Sequence, residues 1–226
     1  MESEMFKYWS TNNIIVLPID AMARKIKEDL SIGLTETEFA VLKSFFPYVT
    51  EKTIREIQKR SRLSYEPVYR TLSHLVERKI ISCKRIGKTL VYALDYTGFF
   101  ARTAFYLFAT EKAQRFSQKH PRIRNALAEL PDKQIDILVV FGSYAKGTET
   151  TKSDIDIICI TSHVEKLEST IKSLRHGYNL DIKPLVTTRE EFAKIGTENE
   201  QFWSDLVHYG IIFKGYDLFY SYAYLP

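Results

Sequence analysis

The first half of the chain carries apolar residues at helical spacing and then at strand spacing. Three successive segments, beginning near Thr35, Lys52 and Ser64, repeat apolar residues every three or four positions, as one buried helix face requires. The stretches ISCKRI and TLVYAL follow, alternating around Gly87-Lys88, and this pattern predicts a β-hairpin. We therefore expect three helices followed by a two-stranded hairpin.

The middle of the chain, residues 97–134, is predicted to consist of linker helices with an unusually aromatic surface. Phe99, Phe100, Phe105, Tyr106 and Phe108 lie within its first twelve residues. A helix with an apolar surface this broad must bury more than one narrow stripe. Packing within the chain and pairing with a second copy both fit the pattern, and we expect a homodimer.

The last part, residues 135–226, has a different pattern. IDILVVF is a nearly continuous apolar run, typical of a strand that is covered on both faces. DIDIICI and LDIKPLV read as two further strands, with amphipathic helical segments between and after them. The pattern predicts a mixed sheet flanked by helices, so the expected fold class is α+β. Residues 1–30 are weakly patterned and are treated as an N-terminal extension, with a short strand at 14–17 and a helix at 21–30.

Length and charge agree with two domains. The chain has 226 residues, whereas a typical domain has roughly 100–150. Net charge is +5 over residues 31–96, +4 over 97–135 and −4 over 136–226. A basic front part joined to an acidic back part suggests that a polyanion-binding module is attached to something else.

The remaining composition sets the expected compartment. No stretch of the sequence reaches the roughly 18 apolar residues that a membrane span needs. The N-terminus lacks a signal-peptide core. Cys83 and Cys159 have neither metal-ligand spacing nor a disulfide pattern, and both are expected to be small core residues. We expect a cytoplasmic protein with no membrane partner.

The candidate chemistry lies in VVFGSYAKGTETTKSDIDIICI, residues 139–160. Asp154 and Asp156 are two positions apart on a predicted strand, so their side chains point to the same face. Two neighbouring carboxylates repel each other, and a cation can neutralise them. Carboxylate-only ligation suits Mg²⁺ or Mn²⁺, which also binds substrate phosphates.

Other residues complete this candidate site. Gly142 and Ser143, with Ser153, are candidate nucleotide-binding residues, because a glycine turn brings backbone N–H groups and a hydroxyl close to phosphate oxygens. Asp181 opens the strand LDIKPLV. If that strand neighbours DIDIICI, Asp181 joins the pair as a third metal ligand and a catalytic residue, a set suited to in-line phosphoryl displacement. An ordinary exposed aspartate at a strand end is the alternative.

The stretch GSYAKGTETTKSDID resembles the signature of the DNA polymerase β-like nucleotidyltransferases: Gly-Ser, about ten residues, then Asp-x-Asp. Over residues 135–215 the chain is most similar to the minimal nucleotidyltransferases of bacteria and archaea. The resemblance implies Mg²⁺ and a nucleoside triphosphate, expected to be ATP, with a nucleoside monophosphate passed to an acceptor hydroxyl. Some members are antitoxins that adenylylate a partner toxin, so a toxin partner is a further expectation.

The front part, residues 31–96, resembles a winged helix-turn-helix domain, in its order of three helices and a hairpin. The resemblance implies double-stranded DNA as a partner, with the third helix in a groove and the hairpin on phosphates. A protein-binding module is the alternative reading of the same basic residues. The candidate DNA-binding residues are Ser64, Tyr65, Tyr69 and Arg70 on the helix and Lys84, Arg85 and Lys88 on the hairpin.

Two functions are therefore carried forward. The first is an enzyme, a magnesium-dependent nucleotidyltransferase tethered to a DNA-binding winged helix. The second is a DNA-binding transcriptional regulator whose back domain senses nucleotide or docks a partner without catalysis. Activity that depends on Asp154 and Asp156 discriminates the first from the second.

Overall fold

The structure is a computed structural model that describes residues 34–224, and the expected strand at 14–17 and helix at 21–30 lie outside this range. From Glu36 onward the chain forms one compact unit. The helices of the described part are α1 (Glu36–Lys43), α2 (Ile54–Ser61), α3 (Tyr65–Glu77), α4 (Phe99–Lys119), α5 (Pro121–Ala128), α6 (Gly142–Lys146), α7 (Val164–Tyr178), α8 (Arg189–Glu198), α9 (Glu200–Tyr209) and α10 (Tyr216–Tyr224).

Two β-sheets are present among the described residues. The first is three-stranded with the order β1-β3-β2, and the second is four-stranded with the order β6-β5-β4-β7. The strands are β1 (Lys52–Thr53), β2 (Ile81–Ile86), β3 (Thr89–Leu94), β4 (Ile137–Phe141), β5 (Ile155–Ile160), β6 (Ile182–Thr187) and β7 (Ile211–Lys214).

The front unit, residues 36–94, contains the three expected helices and the expected hairpin. Strands β2 and β3 pair antiparallel from Ile81 opposite Leu94 to Ile86 opposite Thr89. Helix α2 begins at a capping box, in which the Thr53 side chain accepts from the backbone N–H of Glu56 and the Glu56 carboxylate accepts from that of Thr53. The core consists of side chains that are fully buried: Val41, Leu42, Phe45, Ile57, Val68, Leu72 and Leu75.

Cys83 corrects one expectation, because it is exposed whereas Cys159 is buried. Cys83 lies on β2, the edge strand of its sheet, and only the first residue of that strand is buried. Alternation along a strand predicts two faces, but a hairpin that projects into solvent exposes both of them.

The long helix α4 lies at the centre of an aromatic cluster that joins distant parts of the chain. Phe105 and Phe108 are buried on α4, and Tyr220 of α10 is buried against them. Phe46 of the front unit contacts Phe105 edge to face at 5.2 Å between ring centroids. The broad apolar surface of α4 is thus largely used within the chain, although Phe99 is 73% exposed. The homodimer stays a prediction.

The second sheet is mixed, and with the helices around it the predicted α+β fold class is confirmed. Strand β4 pairs antiparallel with β5 and β7, whereas β5 pairs parallel with β6. Residues 137–140 of β4 are buried, as its continuous apolar run predicts. Strand β4 ends where β5 and β6 begin, so the candidate residues of all three strands lie at this edge of the sheet.

Candidate functional site

The carboxylate Asp156 lies at the centre of the candidate site. It is on β5, where its backbone pairs with Phe141 of β4 on one side and with Lys183 of β6 on the other. Asp154 comes just before β5, two residues earlier. The expected juxtaposition of LDIKPLV with DIDIICI is therefore present, as a parallel pair.

Gly142 contacts Asp156 so closely that a side chain in its place would have to displace the Asp156 carboxylate. It follows β4 directly and has φ +67°, a left-handed conformation that favours glycine. A Cβ atom there would lie 2.1 Å from Oδ2 of Asp156 and 3.0 Å from its Cγ. The Gly-Ser turn is thus fitted against the second aspartate of the Asp-x-Asp pair.

The loop between the glycine and the aspartates is held by its own hydrogen bonds. Ser143 lies in α6, and its carbonyl accepts from the N–H of Thr148 at 3.0 Å. The Ser153 hydroxyl accepts from the N–H of Thr150 at 2.9 Å, so it shapes the turn that leads into Asp154. The nucleotide-binding roles of Gly142, Ser143 and Ser153 stay predictions.

The two aspartates have different electrostatic surroundings. Asp154 is paired with the Lys183 ammonium, whose hydrogen bond lowers the pKa of that carboxyl. Asp156 is half-buried, and burial together with the nearby charge of Asp154 raises its pKa. Environments that push two neighbouring carboxyl pKa values apart are common at functional sites, although ion pairs in structural networks do the same.

Asp181 is at the same edge of the sheet, but its carboxylate is paired with a residue of α7. Its Oδ1 accepts from Arg175 of α7 at 3.2 Å, and both side chains are exposed. Within residues 34–224, no three His, Cys, Asp or Glu side chains are close enough together to hold a metal ion. The three-carboxylate set is therefore not assembled in this arrangement, and the role of Asp181 stays a prediction.

Asp154 and Asp156 nevertheless fit a divalent cation. Both offer only oxygen ligands, which suits Mg²⁺ or Mn²⁺. A cation, the Lys183 ammonium, already pairs with Asp154. The missing Cβ of Gly142 leaves room for the Asp156 carboxylate.

Lys183 is the residue of this site that sequence analysis missed. It is two positions after Asp181, so it shares a strand face with that aspartate. That spacing was a usable signal, but the parallel register that sets Lys183 beside Asp156 is not encoded locally.

The candidate DNA-binding side chains lie on the surface of the front unit. Tyr65 and Tyr69 are 53% and 45% exposed, and their rings stack with centroids 5.9 Å apart. Arg70, one turn after Glu66, donates to that carboxylate at 2.6 Å. Ser64 precedes α3 without a side-chain capping bond.

The basic residues of the hairpin are exposed as well. Arg85 and Lys88 are near its tip, and the turn contains Gly87 with φ +59°. Lys84 forms an ion pair with Glu51. Neither this geometry nor the exposure of α3 tests DNA binding, which stays a prediction.

The sequence of the back part matches a family model described as a nucleotidyltransferase domain, over residues 120–214. The match includes α5, the whole four-stranded sheet and the candidate site, and it supports a nucleotidyl-transfer role for this part of the chain. It covers less than half of the chain. No curated protein matches the sequence significantly.

Solved structures show only partial similarity. The DNA-binding protein BpsR of Bordetella bronchiseptica is 14% identical, with 41% of this chain and 79% of that chain covered and a TM-score of 0.32. The type III plasmid segregation protein TubR is 19% identical, with 43% and 94% covered and a TM-score of 0.30. A candidate nucleotidyltransferase of Sulfolobus solfataricus is 18% identical, with 38% and 78% covered and a TM-score of 0.25. Similarity of this extent establishes neither a shared fold nor a shared function.

No helix among the described residues is both long enough and apolar enough to cross a membrane.

Proposed function

We propose that this protein is a nucleotidyltransferase that uses Mg²⁺ or Mn²⁺ to transfer a nucleoside monophosphate, AMP, from a nucleoside triphosphate to an acceptor hydroxyl. One observation carries the proposal: Gly142 is fitted against Asp156, beside Asp154, inside the segment that matches a nucleotidyltransferase domain. A lone Asp-x-Asp on a strand is often a solvated edge. A glycine whose Cβ would collide with that aspartate's carboxylate gives the pair a defined place in the fold.

Each residue of the site has its own role in the proposed reaction. Asp154 and Asp156 would hold the metal, which when bound offsets the charge of the triphosphate. Gly142, Ser143 and Ser153 would hold phosphate oxygens through N–H and hydroxyl groups. The acceptor oxygen attacks the α-phosphorus, the bond from that phosphorus to the bridging oxygen breaks, and pyrophosphate leaves. Asp181 would take the hydroxyl proton once its carboxylate is released from Arg175.

The test is transfer of label from α-labelled ATP in the presence of Mg²⁺, carried out in cell lysate so that the unknown acceptor is present. Asp154→Asn with Asp156→Asn should abolish transfer and keep the fold. Asp132→Asn is a matched control, because Asp132 is an exposed aspartate that is paired with Lys214. Label that survives the double substitution would refute the proposal, and the labelled band would show whether the acceptor is a partner toxin or another molecule.

A second function for the same chain is DNA binding by the front unit, with or without catalysis behind it. The observation that favours it is the exposure of an aromatic pair and Arg70 on α3 together with a basic hairpin tip. In winged helices these are the two places that reach the groove and the phosphates. A regulator whose back part only senses nucleotide would show this activity alone.

Duplex binding should weaken with salt, because each phosphate contact releases counterions. Arg70→Ala and Lys88→Ala should each lower affinity and reduce the salt slope by about 1. Lys166→Ala is the matched control, because Lys166 is an exposed lysine on α7 in the acidic back part. Duplex affinity that is unchanged by both front substitutions would refute the DNA-binding role.

A further inference from the structure

The ammonium group of Lys183 pairs with Asp154, one of the predicted metal ligands. Residues that pair in a parallel register stand side by side on the same face of the sheet, so Lys183 and Asp156 share a face. Asp154, two residues before Asp156, is on that face as well. Lys183 reaches it and forms an ion pair.

All three predicted metal ligands lie near this lysine. Asp154 is its ion-pair partner, Asp156 pairs with it in the parallel register, and Asp181 precedes it by two positions in the sequence. The negative charge that would attract a divalent cation therefore already attracts a monovalent one, the Lys183 ammonium. Arg175 accounts for part of the charge of Asp181 but does not pair with Asp154 or Asp156 among the described residues.

The Lys183 side chain can also move away from Asp154. Its side chain is 61% exposed, and its partner Asp154 is 29% exposed. A lysine of this kind loses little by turning into water, since an exposed ion pair is worth little and the head group stays hydrated. A rigid buried lysine would instead block the carboxylates permanently.

We propose that Lys183 is a built-in counter-ion that competes with the divalent cation for Asp154 and Asp156 and so sets the affinity of the site for metal. The inference rests on the proposed function, since it takes this pair as the metal site. It implies that in the free protein one of the two carboxylate charges, that of Asp154, is offset by the protein's own lysine. Metal then binds only by displacing the ammonium.

The experiment is a titration of the full chain with Mn²⁺ alone, followed by the electron paramagnetic resonance signal of the free ion, so that no turnover is needed. Lys183→Met removes the charge and keeps the aliphatic stem, whereas Lys183→Arg keeps the charge. Lys183→Met should bind Mn²⁺ about tenfold more tightly than the wild type. The substitution removes the repulsion between the exposed ammonium and the metal, and the metal no longer has to break the ion pair with Asp154. Lys183→Arg should stay close to the wild type.

A double variant, Lys183→Met with Asp154→Asn, tests whether the metal binds at this site. It should lose the tight Mn²⁺ binding of Lys183→Met. The inference would be overturned if the wild type and Lys183→Met bound Mn²⁺ with equal affinity. If Asp154→Asn abolished that binding, the proposed metal site would still stand. Weaker binding by Lys183→Met would also overturn it, because the lysine would then assist the metal. Absence of Mn²⁺ binding in every variant would overturn the inference and remove the metal from the proposed function as well.

Discussion

Two glycines of the same loop offer a comparison that tests how Asp156 is held. Gly142 and Gly147 both have left-handed backbone, with φ +67° and +72°. A Cβ at Gly142 would collide with the Asp156 carboxylate, whereas a Cβ at Gly147 would meet nothing within 4 Å. Gly142→Ala and Gly147→Ala therefore share the backbone cost and differ in the contact.

The shared cost is about 1–2 kcal/mol for an alanine in the left-handed region. At Gly142 the nearest atom is the end of a side chain, Oδ2 of Asp156 at 2.1 Å, with Cγ at 3.0 Å. The carboxylate can rotate away, so the further loss of stability should stay within about 1–3 kcal/mol, the usual cost of overpacking. The rotated carboxylate, however, no longer faces the same position as Asp154.

Urea unfolding and Mn²⁺ titration together separate the two effects. Both variants should lose unfolding free energy, and Gly142→Ala should lose about 1–3 kcal/mol more than Gly147→Ala. Gly142→Ala alone should lose Mn²⁺ binding and label transfer, while Gly147→Ala keeps both. If Gly142→Ala bound Mn²⁺ like the wild type, the close fit between the glycine turn and Asp156 would have no functional role, and the reasoning would be refuted.

Two further predictions concern stability. Lys112 is half-buried and donates to two backbone carbonyls at the end of α9, and its partial burial lowers its pKa from 10.5 to about 8. The unfolded chain binds this proton between those pH values and the folded chain does not, so the unfolding free energy of the wild type relative to Lys112→Met should rise between pH 8 and 10.5, by at most about 3 kcal/mol. Urea unfolding of both proteins at several pH values checks this, and a constant difference would contradict it. Glu38 is 3% exposed and accepts from His74 at 2.8 Å and from Arg78 at 3.1 Å, so Glu38→Ala should destabilise the protein by about 2 kcal/mol in thermal unfolding. Glu66→Ala, which removes only an exposed pair, should leave the midpoint nearly unchanged, and an equal effect of the two substitutions would count against a buried anchor at Glu38.

Sequence analysis succeeded where the signal is local. Period-two alternation around Gly87 predicted the hairpin, and the apolar run of residues 137–141 predicted a buried strand. Both patterns depend on residues a few positions apart, and the structure confirms both. The Asp-x-Asp spacing and the Gly-Ser turn were likewise visible, because a left-handed turn and a shared strand face are set within a few residues.

The parts that the sequence missed or left open depend on register and on distant partners. Lys183 was overlooked because only the pairing of β5 with β6 sets it beside Asp156. Asp181 was expected to ligate metal, and that role stays a prediction, because its carboxylate accepts from Arg175 at the end of α7 in the structure. Glu38 was not singled out, although its buried carboxylate accepts from His74 of α3 and from Arg78 in the turn that follows. No periodicity reports such contacts.

The aromatic surface of α4 illustrates the same limit and decides how the front unit is attached. The contacts that connect it to the rest of the chain include the rings of Phe46, Phe105 and Tyr220, an ion pair between Lys43 and Glu111, and a hydrogen bond from the Tyr48 hydroxyl to the Ser204 carbonyl at 2.9 Å. A single exposed hydrogen bond contributes about 1 kcal/mol, whereas each buried ring contributes about 1.5–3 kcal/mol from burial alone.

The rings therefore dominate this attachment, and they come from three parts of the chain at once. A fragment that begins at residue 135 would keep the sheet and the candidate site but would lose Phe46 and Phe105. Tyr220, which is 2% exposed in the full chain, would then face water. For that reason the catalytic and DNA-binding experiments need the full chain, in which α10 has its buried partners.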